Sequence, residues 1–386
     1  MSTSLDSAPP AAAEAPRTTT PVKFWALIGC LLWTFQIYVL LRWLTGPFFT
    51  PVVSGPDSPP VLMKVGIITV MVVQGVAFFG LAYLWIVRPL RRERRIGFDG
   101  MVFIAFTGFY WFWDPIGNYF ALTSSYNAWI PNMGSWVNDI PGWRSPGTPG
   151  HQIPEPWLVV GPGYAVYGTV MVVLSCWLMR QIRKRWPRTG TWGLLVIVFV
   201  TMFVLETAME MSGTRVGVWA YGGTNGLPTL FPDHYYRYPL TESLWGAAIT
   251  AIAYMRWSRD DKGESIAERG LSEVRAPEIG KQAMRLMAIT GCAYSLIFTV
   301  YWVPVFVLWR SQPEGWPLDL QMRSYLGSNY RCGPDTNVAC PNPNVPYTRP
   351  GSISITPDGK LYVPPGTKLP DDPTTFEEAK RRAGEK

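Results

Sequence analysis

An all-α, polytopic transmembrane bundle of about seven helices is what this sequence predicts. Three observations carry that expectation: apolar stretches of spanning length, basic residues concentrated in alternate connections, and tryptophan at the segment ends. Bulk composition decides little, because 48% hydrophobic residues, 16% charged residues and a mean hydropathy of +0.09 also suit a large soluble protein.

Residues 1–22, rich in Ala, Pro, Ser and Thr, cannot build a core and read as a disordered arm. Crossing about 30 Å of hydrocarbon takes roughly 20 helical residues. Stretches near 24–44, 61–87, 100–122, 157–179, 191–211, 240–257 and 286–309 qualify, giving a membrane domain over 23–310. The first has no small-residue cleavage site after it and reads as a retained anchor. The sixth is the shortest and carries Glu242; Pro239 suits its first turn.

The connections after the second, fourth and sixth stretches hold 17 Lys and Arg, whereas those after the first, third and fifth hold Arg144, Arg215 and Arg237. Positive residues stay on the cytoplasmic side, so the N-terminus is expected there and the tail outside, in a multi-pass protein of the cell membrane. The net charge of +7 is then a topology signal, and a nucleic-acid groove is a poor reading of it. Trp25, Trp43, Trp85, Trp157, Trp257 and Trp309 suit the headgroup boundary.

Residues 311–386 form a Pro-rich tail. Cys332 and Cys340 flank a short loop in it, and on the oxidising side of a membrane they are expected to pair as a disulfide. The run SISITPDGKLYV predicts a small hairpin around Pro-Asp-Gly. No P-loop, dinucleotide fingerprint or HExxH helix occurs, and the two histidines, His151 and His234, fall in different loops. No metal site or cofactor is expected; a retinal Schiff base lacks its lysine in the seventh stretch.

What remains is a set of acids that fall toward one membrane face. A carboxylate in lipid is costly and ordinarily faces a bundle interior, a wet cavity or a partner. Asp114 lies past the bilayer middle, with Asn118 one turn on and Tyr119 beside it. Glu206 and Glu210, at i and i+4, project from one face and can hold one proton between them, the requirement for a general acid beside a general base. Glu242 starts the sixth helix, where the helix dipole stabilises an acid. Trp219 and Tyr221 offer an apolar floor; Tyr235, Tyr236 and Tyr238 read as interface anchors. The bland readings are interhelical packing for Asp114, pairing with Arg215 for Glu210 and helix-end stabilisation for Glu242.

The blocks FWDPIGNY, ETAMEMSG followed by GVWAYGG, and YPLTESLWG, in that order on successive segments, resemble the spirocyclase AveC family of actinobacterial membrane proteins over roughly residues 20–320. The resemblance implies closure of a polyketide dihydroxyketone to a spiroketal, sometimes with dehydration, on a hydrophobic small-molecule substrate. It transfers no catalytic residues. On the chemistry alone, Asp114, Glu206, Glu210 and Glu242 are the candidate catalytic acids, and Asn118, Tyr119, Trp219 and Tyr221 the candidate substrate contacts. Two other classes fit the same features: a proton-linked carrier of an amphipathic metabolite, and a membrane subunit whose tail binds an unidentified protein.

Overall fold

Two prolines in tandem, an N-terminal proline or a glycine mark most of the helix boundaries, and the rods between them are long. The computed structural model describes residues 19–52, 58–120, 124–142, 154–221, 228–310, 318–321, 323–326, 354–355 and 361–362. Helix α1 (Thr20–Thr45) has Pro21 in its first turn and stops at Gly46. Helix α2 (Val61–Ala82) starts after Pro59-Pro60 and continues through a π-turn (Tyr83–Val87) into α3 (Arg88–Glu93). Then follow α4 (Phe98–Phe120), α5 (Val160–Arg185), α6 (Thr191–Val216) and the shorter α7 (Trp245–Trp257). Helix α8 (Glu278–Ile297) passes through a second π-turn (Phe298–Trp302) into α9 (Val303–Arg310).

Five of these rods are long and apolar enough to cross a membrane: Thr20–Thr45, Val61–Glu93, Val160–Arg185, Thr191–Val216 and Glu278–Leu308. Leu62, Val76, Phe79, Trp192, Val204 and Val307 lie exposed along them. A water-facing protein would bury so much apolar surface, so these rods mark a membrane protein. Helices α4 and α7 sit among them, α4 against α5 and α8, α7 against α5 and α6. With 13 residues, α7 is about 20 Å long at 1.5 Å per residue. The expected sixth span over 240–257 is therefore shorter than predicted. Pro239 is not in its first turn but in strand β4 (Tyr238–Pro239), paired with β3 (Thr229–Leu230).

The two ends of the bundle differ. At the basic end, Arg256 at the close of α7 makes two hydrogen bonds, of 2.6 and 2.8 Å, to Asp99 at the start of α4. At the other end, strands β1 (Ser124–Tyr126) and β2 (Trp219–Tyr221) pair antiparallel and join the C-terminal ends of α4 and α6. The first residues of the tail are part of this layer. Helix α10 (Leu318–Gln321) and the turn Ser324–Leu326 bury Leu320, Tyr325 and Leu326 completely. Ala128 N–H donates to the Tyr325 carbonyl at 2.6 Å and Ser125 Oγ to the Leu326 carbonyl at 2.5 Å.

Farther on, β5 (Ser354–Ile355) pairs with β6 (Leu361–Tyr362) across the Pro-Asp-Gly run. Cys332 and Cys340 lie outside the described residues, as do residues 1–18, His151 and the side chains of Asn118 and Tyr119.

Candidate active site

Asp114 lies in the last two turns of α4, Glu206 and Glu210 in the last three turns of α6, and Glu242 in a 3-10 turn (Glu242–Leu244) that leads into α7. All four line one cavity, together with Ser124, Tyr164, Tyr221 and Tyr301. Its volume is about 40 Å³, room for on the order of three water-sized groups. Glu206 and Glu210, each 3% exposed, and Glu242, 6% exposed, are buried as a core residue would be.

The strand pair explains how these acids are held. Side chains alternate across a strand, so Ser124 and Tyr126 of β1 share one face, and Trp219 and Tyr221 of β2 share another. The register sets Ser124 opposite Tyr221 and Tyr126 opposite Trp219, which makes these one face of the pair. That face meets the carboxylates. Tyr126 donates its hydroxyl hydrogen to Asp114 Oδ2 at 2.6 Å, while Trp219 Nε1 donates to Glu210 Oε2 at 2.9 Å. The Tyr221 hydroxyl donates to the same Glu210 oxygen.

The local sequence enforces this fold. Gly217, at φ +81°, ends α6 in the left-handed region that a side chain disfavours, and β2 begins two residues later. At Gly213 a Cβ would stand 2.1 Å from the Trp219 ring, so only glycine lets that ring lie back along α6 to reach Glu210. Asn127, fully buried, donates Nδ2 to the Gly217 carbonyl at 2.8 Å and takes its own N–H to Val218 O, locking the end of β1 to this turn.

Glu242 is positioned differently. The neighbouring Ser243 hydroxyl lies 2.7 Å from Thr207 Oγ1 on α6 and 2.7 Å from the Tyr238 hydroxyl, which fixes the turn. Tyr301, within the second π-turn, donates to Glu242 Oε2 at 2.8 Å; such widened turns recur at functional sites. Across the cavity the Tyr164 hydroxyl stands 3.3 Å from that of Tyr126, and its ring stacks on Tyr110 at 4.0 Å and 6°. Two acid oxygens, Glu206 Oε2 and Glu242 Oε1, are buried without a hydrogen-bond partner among the described residues.

The arrangement corrects three sequence expectations. Glu210 does not pair with Arg215, whose guanidinium lies over the Tyr236 ring at 4.3 Å. Trp219 and Tyr221 are not an apolar floor but hydrogen-bond donors to Glu210, and of the two only Tyr221 lines the cavity. Tyr238, read as an interface anchor, is fully buried on Ser243. Sequence reasoning also passed over Tyr126, Tyr164, Tyr301 and Trp245. Their usable signal was their position next to the acids' helices, and tyrosine is too common at membrane boundaries for that to single them out.

Chemically, the site offers paired acids, phenolic donors and aromatic walls. Among the described residues no group of His, Cys, Asp and Glu is placed to hold a metal ion. A family profile described as spirocyclase AveC-like matches residues 93–326, starting at the end of α3 and stopping at the buried Leu326. No curated protein and no solved structure matches the chain.

Proposed function

The chain belongs to the spirocyclase AveC-like family, and from that premise we propose that the cavity is the active site of a membrane-embedded cyclase that closes a hydroxylated polyketide or lipid-like ketone by carboxylate acid/base catalysis. The observation that carries this reading is the convergence of Asp114, Glu206, Glu210 and Glu242 from three separate helical segments on one cavity. Packing alone gives no reason to collect four acids, three of them buried, at one point.

In the reaction, one substrate hydroxyl adds to the ketone carbon to give a hemiketal. A carboxyl donates its proton to the hemiketal hydroxyl, which leaves as water and generates an oxocarbenium carbon. The second hydroxyl attacks that carbon and returns its proton to a carboxylate, so one water is lost and the acid is regenerated. Glycoside chemistry uses two carboxyl groups in the same way. Glu206 and Glu242 are the proton-exchanging groups in this scheme, because each keeps an oxygen that no protein donor occupies. Asp114 and Glu210, held by Tyr126 and by Trp219 with Tyr221, supply the fixed negative field that an oxocarbenium needs. Asn118 and Tyr119 follow Asp114 along α4 and join the proposal as substrate contacts.

Room for about three groups matches the reacting O–C–O unit and not a whole polyketide. The remainder of the substrate then lies along Val305 and Phe306 of α9, which also line the cavity and adjoin the exposed Val307. The basic residues at the opposite end support an extracytoplasmic cavity.

The test is conversion of a dihydroxyketone by membranes carrying the wild-type chain or Asp114→Asn, Glu206→Gln or Glu242→Gln. Each substitution is expected to slow spiroketal formation by roughly 10²–10⁴. Full activity of Asp114→Asn and Glu206→Gln, in stably folded protein, would remove the assignment. An unaltered ketone found on the other side of the membrane would instead support a carrier.

A further inference from the structure

The described residues lining the cavity include four carboxylic acids and no lysine, arginine or histidine. However protons are shared among the four, the net charge that these described residues can present is negative or zero. Most of the remaining surface is aromatic: Trp245 packs edge-on to Tyr110 at 5.5 Å and to Tyr301 at 5.1 Å, and Phe109 meets Trp302 at 6.4 Å. Ring faces attract cations, and more strongly where water is excluded.

A second observation points to a ligand. Glu206 Oε2 and Glu242 Oε1 are buried in side chains 3% and 6% exposed, line the cavity, and have no hydrogen-bond partner among the described residues. A buried acid oxygen without a donor is costly, and a group bringing two N–H donors relieves two of them at once. A neutral ether brings none, and an anion is repelled.

We propose that the cavity is a cation-binding site that takes the protonated nitrogen of a cyclic secondary amine, with Glu206 and Glu242 accepting its two N–H hydrogens and the aromatic wall facing its carbons. The three-atom C–N–C unit matches the available room as the O–C–O centre of an oxocarbenium does. The inference rests on reading this cavity as the reacting site. It adds that the site selects by charge and that its inhibitors are amines.

The experiment is calorimetric titration of the purified full-length protein in detergent. The probes are a butyl-substituted piperidine, the tetrahydropyran of the same shape, and the corresponding cyclohexane carboxylate. The expected result is one amine bound per chain, at least about tenfold tighter than the ether, with no binding of the carboxylate. Glu206→Gln and Glu242→Gln should each erase most of that preference, and Glu93→Gln, at the basic end, should keep it. Equal binding of amine and ether by the wild-type protein would overturn the proposal, and that comparison needs no variant to fold. A preference that survives both substitutions would overturn it as well. If the amine binds as stated while Asp114→Asn and Glu206→Gln still form spiroketal at the wild-type rate, the cation site stands and the assignment of these acids as the catalytic groups falls. If the acid variants lose turnover but amine and ether bind alike, the cyclase assignment stands and the cation site falls.

Discussion

A single oxygen of Glu210 accepts from both Trp219 Nε1 and the Tyr221 hydroxyl, and this sharing has an energetic consequence. Removing one donor leaves the oxygen satisfied by the other, so the loss is a net hydrogen bond of about 1 kcal/mol. Removing both leaves a buried acid oxygen orphaned, which costs a further roughly 1–3 kcal/mol. Trp219→Phe and Tyr221→Phe are therefore expected to be individually mild and jointly worse than their sum, the signature of contacts that share a partner. Denaturant unfolding of the two single variants and the double variant in detergent measures this coupling; simple additivity would show that the donors act independently. Tyr221→Phe should also slow turnover more than Trp219→Phe, because only Tyr221 lines the cavity. Its hydrogen is committed to Glu210, which leaves its oxygen lone pairs to accept from a substrate hydroxyl.

Between elements, the geometry that delivers these donors is set by close approach of backbone to ring. Gly213→Ala would drive a Cβ into Trp219, forcing β2 off α6 and separating Glu210 from both donors. Overpacking of this kind costs about 1–3 kcal/mol, so the expected result is a lower unfolding temperature with turnover reduced beyond that of Trp219→Phe. Turnover equal to wild type in Gly213→Ala would mean that the strand pair does not position the acid. The opposite end has its own clamp. Glu268, 3% exposed in the connection between α7 and α8, accepts from Arg259 at 2.9 Å, from Ser265 N–H at 3.0 Å and from Arg285. Burial pushes its carboxyl up, but the charge of Arg285, the Ser265 and Arg285 hydrogen bonds and the charge of Arg259 together outweigh that, and the net displacement is below the ordinary 4.5. With a lowered value in the folded chain, the unfolded chain takes up the proton first. The clamp's contribution is then complete above about pH 4.5 and is lost as pH falls through the lowered folded value. Glu268→Gln should lower stability at neutral pH by roughly 3–5 kcal/mol and flatten the acid limb of a stability–pH curve. An unchanged acid limb would place that titration elsewhere.

Across the whole molecule, what could be read in advance follows from what a one-dimensional pattern records. Apolar length is local, so the five long rods were legible, and Asp114, Glu206, Glu210 and Glu242 stood out because acids are rare in such company. Depth was misjudged for Glu210 and Glu242, since counting residues along a straight helix treats its end as open to water. Here the end is capped: β1 and β2 fold over it, and the tail segment Ser324–Leu326 backs β1 through Ser125 and Ala128. Those contacts bridge about 200 residues of chain, and neither the three-residue strands nor the Pro-rich tail carries a periodicity that announces them. The same capping predicts where the chain can be shortened. A chain ending after Leu326 keeps Leu320, Arg323, Tyr325 and Leu326, all buried, and retains the full family match. One ending at residue 317 also loses the Asp319 carboxylate that accepts from Tyr235 N–H at 2.9 Å and pairs with Arg323 at 2.9 Å. The longer form is expected to fold and to form spiroketal at close to the wild-type rate; the shorter one should lose β1, with it the Tyr126 donor to Asp114, and elute as aggregate. Size-exclusion profiles and product formation separate the outcomes. A longer form that is monodisperse and inactive would move the function into residues 327–386 and favour a tail that recruits a partner protein over a self-sufficient cavity.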